Sequence, residues 1–135
     1  MIFSSNNAKI KPAIINEEGL MVGDLTNAYA IPYPQIKFKW MKINQFVTLT
    51  WDNALKQPDF FLEIRMMDPI PAEIRPIQEV FVPIMVLDGG GYTAGTIRIF
   101  TNGTMYFYSG LGGGTFSNLG VGGPVKGGIT YSVDV

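Results

Sequence analysis

Thr96-Ile97-Arg98-Ile99-Phe100-Thr101-Asn102-Gly103-Thr104-Met105-Tyr106-Phe107-Tyr108 reads as a β-hairpin. Asn-Gly is the preferred centre of a two-residue type I′ turn, in which both central residues need positive φ. Such a turn at Asn102-Gly103 sets a register in which Thr101 opposes Thr104, Phe100 opposes Met105, Ile99 opposes Tyr106, Arg98 opposes Phe107 and Ile97 opposes Tyr108. One face then carries Ile97, Ile99, Tyr106 and Tyr108, and the other carries Phe100, Met105 and Phe107 with Arg98 among them. A half-solvated antiparallel hairpin keeps one polar face. This reading leaves two apolar faces, so one has to be covered by something outside the hairpin's own domain.

Working outward, alternation recurs along most of the chain. Ile36, Phe38 and Trp40 alternate with Lys37 and Lys39, which predicts a half-buried strand with its lysines in water. Residues Lys42–Gln45 form a turn, and Val47, Leu49 and Trp51 then share one face of the next strand. Phe60, Leu62, Ile64 and Met66 predict a third strand, followed by an irregular segment holding Pro69, Pro71 and Pro76. Val80–Leu87 is a further strand, where Pro83 implies an edge or a bulge, and Asp88–Gly91 is a turn. Residues 110–128 hold nine glycines in nineteen positions and read as long loops around Thr115–Leu119, before a closing strand, Ile129–Val135. No window sustains a 3.6-residue period. The fold class expected is all-β: an antiparallel β-sandwich of jelly-roll type, with seven or eight strands.

Residues 1–35 read differently. Short apolar pieces, Ile14-Ile15 and Leu20-Met21-Val22, are broken by Asn, Glu and Gly, and Pro32 and Pro34 mark an extended linker. The division expected is an extended N-terminal segment over 1–35 and a head domain over 36–135.

Composition narrows the chemistry. Of 135 residues, 47% are hydrophobic and only 16% charged, against about 25% charged in average soluble chains. So few charges on so small a domain imply surface that is not exposed to water, through association or unusual loops. The net charge of −1 offers nothing to nucleic acid or anionic membrane. No run reaches the roughly 20 apolar residues of a membrane helix, and the N-terminus lacks the pattern of a signal peptide. With no Cys and no His, disulfides, thiol catalysis, His-dependent triads and zinc sites are excluded. No cofactor or metal is expected.

The order of these signals resembles the C-terminal head domains of viral and bacteriophage fibres, trimeric β-sandwiches that also look like C1q and TNF heads. The residues that carry the resemblance are a strand with Trp40, then Val47-Thr48-Leu49, Arg75-Pro76, Val80-Phe81-Val82-Pro83, Thr96-Ile97-Arg98-Ile99, Asn102-Gly103-Thr104 with Tyr106, and Ile129–Val133. The resemblance implies a homotrimer on the virion surface, soluble when isolated, that attaches the particle to a host-surface receptor, with glycans among the candidate receptors. Its N-terminal segment would be the end of a fibre shaft. A purely structural capsid or fibre-cap protein is the alternative, and a C1q/TNF-like secreted ligand a more distant one.

Two sets of side chains are candidates. Aromatic rings beside polar groups hold sugars by stacking and hydrogen bonding, which points to Trp51, Asp52, Asn53, Tyr92, Phe116 and Asn118 as ligand contacts. The second apolar face points to Phe61, Phe81, Arg98, Phe100, Met105 and Phe107 as the trimer interface, with Arg98 against Phe107 as a cation–π pair. Asp52 with Asp59, and Asp68 with Glu73, are the carboxylate pairs a glycosidase would need. They read as solvated loop residues, and the chain is expected not to be an enzyme. Gly112-Gly113-Gly114 and Gly120–Gly123 lack the following helix that a phosphate loop requires.

Overall fold

The computed structural model describes residues 16–26, 35–55, 64–117 and 121–134. Among these, nine antiparallel strands run β1 (Asn16–Thr26), β2 (Gln35–Ile43), β3 (Phe46–Trp51), β4 (Ile64–Met66), β5 (Val80–Asp88), β6 (Gly91–Ile99), β7 (Met105–Ser109), β8 (Gly123–Pro124) and β9 (Gly127–Ser132). One 3-10 turn, Ala72–Ile74, interrupts them. The strands are hydrogen-bonded in the order β8-β5-β6-β7-β4-β1-β2-β3-β9. β1 belongs to two sheets, pairing with β2 along Asn16–Asp24 and with β4 at Leu25 and Thr26. The two sheets, β1-β2-β3-β9 and β8-β5-β6-β7-β4, enclose one core.

Among the described residues the sheet system already includes Asn16–Thr26, ahead of Ile36, so part of the stretch read as extended segment supplies a full strand. Its sequence hides this, because Glu17, Glu18, Gly19, Gly23 and Asp24 are poor strand formers. Gly19 is needed where it stands: a Cβ there would collide with the Trp40 indole on the paired strand.

The Thr96–Tyr108 hairpin forms, with a different turn. Gly103 N–H donates to the Phe100 carbonyl, and Phe100 N–H donates to the Thr104 carbonyl, both at 2.9 Å. Gly103 has φ 92, whereas Asn102 is not in the positive-φ region. The loop thus has three residues, a type I turn closed by a left-handed glycine, which Asn-Gly fits as well as it fits a type I′ turn. The register moves by one: Ile99 pairs with Met105, Arg98 with Tyr106, Ile97 with Phe107 and Thr96 with Tyr108. A one-residue slip sends side chains to the opposite face. Ile97, Ile99, Met105 and Phe107 now lie together and are all fully buried. Arg98, Phe100, Tyr106 and Tyr108 share the outer face. The expected apolar face of Phe100, Met105 and Phe107 does not exist, since Met105 and Phe107 belong to the chain's own core.

Other elements follow the alternation. Lys37 and Lys39 are exposed and alternate with buried Ile36 and Phe38, and Val47, Leu49 and Trp51 are buried. The β2–β3 turn narrows to Asn44-Gln45, with Asn44 at φ 55, a left-handed conformation that Asn tolerates. Gly89 and Gly90, both at positive φ, close the β5–β6 turn. Pro83 lies in the stretch of β5 that pairs with β6 alone, beyond the short β8, so the edge it implied is present. The closing strand ends at Ser132, and a bridge from Pro76 to Val133 ties the irregular segment to it.

Candidate functional site

Two surfaces collect the chemistry. The first is one end of the molecule, formed by the β5–β6 turn, the residues after β3 and the glycine-rich loops. Tyr92 opposes Leu87, and Leu87 opposes Gly123. A Cβ on Gly123 would run into the Ala54 carbonyl, so only glycine permits this approach. Ala54 N–H donates to the Pro124 carbonyl at 3.0 Å, and Asn53 Oδ1 accepts from Lys126 N–H at 2.6 Å. The fold thus gathers Asp52, Asn53 and Tyr92 at one tip. Tyr92 is 74% exposed.

Trp51 and Phe116, expected as ligand contacts, are core residues with 3% and 2% exposure. Trp51 packs edge-on to Phe38 and Phe107, with ring centroids 6.1 and 6.2 Å away, and its Nε1–H donates to the Val125 carbonyl at 2.7 Å. Its alternation with Val47 and Leu49 was the sequence signal for that burial. Asn118 lies outside the described residues.

The tip is held by Asp88. Its carboxylate accepts from the Ser109 hydroxyl at 2.5 Å and from Ser117 N–H at 2.8 Å, joining the β5–β6 turn to the loop after β7. Partial burial opposes ionisation of Asp88, but hydrogen bonds from the Ser109 side chain and from the Ser117 backbone and side chain together hold its pKa below the usual value. A carboxyl whose folded pKa is depressed stabilises the fold above its unfolded pKa, about 3.9, and loses that contribution as pH falls through the folded value. Thermal melts from pH 6 to pH 2 are expected to show an acid limb that Asp88→Asn flattens. An identical acid limb in the variant would remove Asp88 from this role.

The second surface is the outer face of β5, β6 and β7. Phe81 pairs with Arg98, Arg98 with Tyr106, and Tyr106 with Arg65, forming one row across four strands. The Arg98 guanidinium lies 5.4 Å from the Phe81 ring centroid and 4.5 Å from that of Phe100. Phe107, the expected partner, faces the other way. Tyr106 stands edge-on to Phe100 at 5.8 Å and stacks on Tyr108 at 5.9 Å with 4° between the planes. Arg98 Nε donates to Glu79 Oε1 at 2.5 Å. The Glu79 carboxylate and the Tyr108 hydroxyl raise the Arg98 pKa, so its charge is held at every relevant pH. Phe81 is 47% exposed. Of the expected interface residues, Phe81, Arg98 and Phe100 share this face, and Phe61 lies outside the described residues. Tyr106 and Tyr108 complete the face and were missed because the register had turned them inward.

No family model matches the sequence, and no curated protein matches it. Among solved structures, the chain is similar to the reovirus attachment protein sigma1 in complex with α-2,3-sialyllactose. The TM-score is 0.49 at 14% identity, over 89% of this chain and 67% of that chain. A likeness at this level says nothing of what this chain binds.

Asp68 and Glu73, one of the carboxylate pairs considered above, are both exposed, and Asp59 lies outside the described residues. Among the described residues no cluster of three acidic side chains is placed to hold a metal ion, and no helix is long and apolar enough to cross a membrane.

Proposed function

We propose that this domain is the head of a viral fibre or spike: a homotrimer of jelly-roll-type protomers that attaches a particle to a host-surface receptor, with a glycan as the receptor class to test first. The observation that carries the reading is the ring cluster on the outer face of β5, β6 and β7. Phe81, Phe100, Tyr106 and Tyr108 form a continuous aromatic surface, and Arg98 within it already has the Glu79 carboxylate as counter-ion. Covering such a face with further copies of the chain removes apolar area from water at roughly 25 cal/mol per Å² without stranding the Arg98 charge. Obligate interfaces of this kind resemble a core cut in two.

Assembly through the sheet face leaves the tip free. β1 starts beside the Asn44-Gln45 turn, at the opposite end from Tyr92, so a preceding shaft would enter there and the tip would face outward. Tyr92, Asp52 and Asn53 then supply a ring and polar groups for a receptor, and three tips acting together raise a weak single-site affinity by avidity. Glycan-array binding of the purified domain tests this. Specific binding that falls at least about tenfold in Tyr92→Ala, with the assembly intact, is the expected result. A domain that binds no cell-surface glycan or protein would be a structural part of the particle, and turnover of a polysaccharide would make it an enzyme. Either outcome overturns the attachment reading.

A further inference from the structure

Lys42 faces inward along most of its length. It lies on the same side of β2 as buried Ile36 and Phe38, and it is only 8% exposed. Its alkyl stem accounts for the burial, while the ammonium at its end keeps contact with water. Among the described residues, the Lys42 ammonium has neither a hydrogen-bond nor an ion-pair partner. It lines a cavity of about 360 Å³ at the end of the molecule opposite Tyr92, together with Glu73, Arg75, Thr101 and Asp134.

The rest of the lining completes a pattern. Arg75 Nε donates to the Ile70 carbonyl at 2.9 Å, which fixes the guanidinium, and among the described residues Arg75 forms no ion pair. The hairpin turn supplies the Thr101 hydroxyl. Glu73 and Asp134 are exposed and form no ion pair with Lys42 or Arg75 within 4.0 Å. The two buried or half-buried groups are therefore cationic, and the two solvated ones are acidic.

We infer that this cavity is a binding site for a small molecule that presents one oxyanion group, a carboxylate or a phosphate, inward to Lys42 and Arg75, with a cationic or hydroxylated flank toward Glu73 and Asp134. The ion pairing gives the Lys42 ammonium a counter-charge and uses the guanidinium's planar fork. The acidic mouth excludes polyanions, whose further charges would meet Glu73 and Asp134. This site is separate from the tip and from the aromatic face, and it stands whether or not the domain attaches to a receptor.

Amide NMR titration of the whole domain tests it with inorganic phosphate, acetate, β-alanine and heparin as probes. Expected are saturable shifts at Lys42, Arg75 and Thr101 with phosphate, acetate or β-alanine, and none with heparin. Phosphate and acetate distinguish the two oxyanion classes. Lys42→Met is expected to weaken the best probe at least tenfold. Thr101→Val, a change at an exposed position, covers the case in which Lys42→Met fails to fold, and is expected to weaken it about threefold. Glu73→Gln with Asp134→Asn is expected to tighten simple anions several-fold and to admit heparin. Shifts that never saturate, heparin binding to the unmodified domain, or affinities unchanged in Thr101→Val and in the mouth variant would each overturn the inference.

Discussion

Trp51→Ala is expected to destabilise the domain by about 3–5 kcal/mol, the range for removing a large aromatic from a core. At this chain length that is a fall in Tm of roughly 12–20 °C. Three losses coincide. The indole bridges the sheets by packing edge-on to Phe38 from β2 and Phe107 from β7. Its removal leaves a cavity between them. It also strips the Val125 carbonyl of its 2.7 Å hydrogen bond, and that carbonyl lies in the short link between β8 and β9. Calorimetry of the variant checks the size. A shift of only a few degrees would mean that Trp51 is not the core bridge and would reopen its reading as a ligand contact.

The second large effect concerns assembly. Phe81→Asp is expected to convert the trimer to monomer at micromolar concentration while leaving the monomer's Tm nearly unchanged. Phe81 is half exposed in the single chain, so its own fold loses little. In the proposed interface the new carboxylate would be buried beside an Arg98 that Glu79 already neutralises, leaving one negative charge uncompensated, a penalty of about 3–5 kcal/mol, or at least a hundredfold in association. Sedimentation velocity reads the outcome. A variant that remains trimeric would place the interface elsewhere. The outer face of β1, β2 and β3 would be next, since Leu20, Met41 and Phe46 there are 58%, 38% and 49% exposed.

Much of the fold was legible because alternation is a physical signature of a half-buried strand. Lys37 and Lys39 alternating with Ile36 and Phe38, and Val47, Leu49 and Trp51 in step, could be read directly. The hairpin's existence was legible in Asn102-Gly103, but its loop length was not. The same dipeptide closes a two-residue or a three-residue loop, and the choice falls to whichever register buries Met105 and Phe107 with Ile97 and Ile99. β1 was illegible for a related reason. Gly19 and Gly23 look like breaks locally, and the role of Gly19 appears only once the Trp40 indole lies across it.

The site was harder. A glycine-rich context made Phe116 look like a loop-tip ring, whereas the ring enters the core. Tyr92, beside the Asp88–Gly91 turn, was readable as exposed because a tight turn leaves its flanking residue in water. Asp88, which ties the tip loops together through Ser109 and Ser117, gave no signal, since its partners lie 21 and 29 residues away.

The measurement that bears most directly on the central claim, that further copies of the chain cover the aromatic face of β5, β6 and β7, is the native mass by light scattering. The mass expected is three times the 14.9 kDa of one chain, persisting on dilution to low micromolar concentration. A mass of one chain under those conditions, with Phe81 and the Tyr106–Tyr108 stack open to solvent, would contradict it.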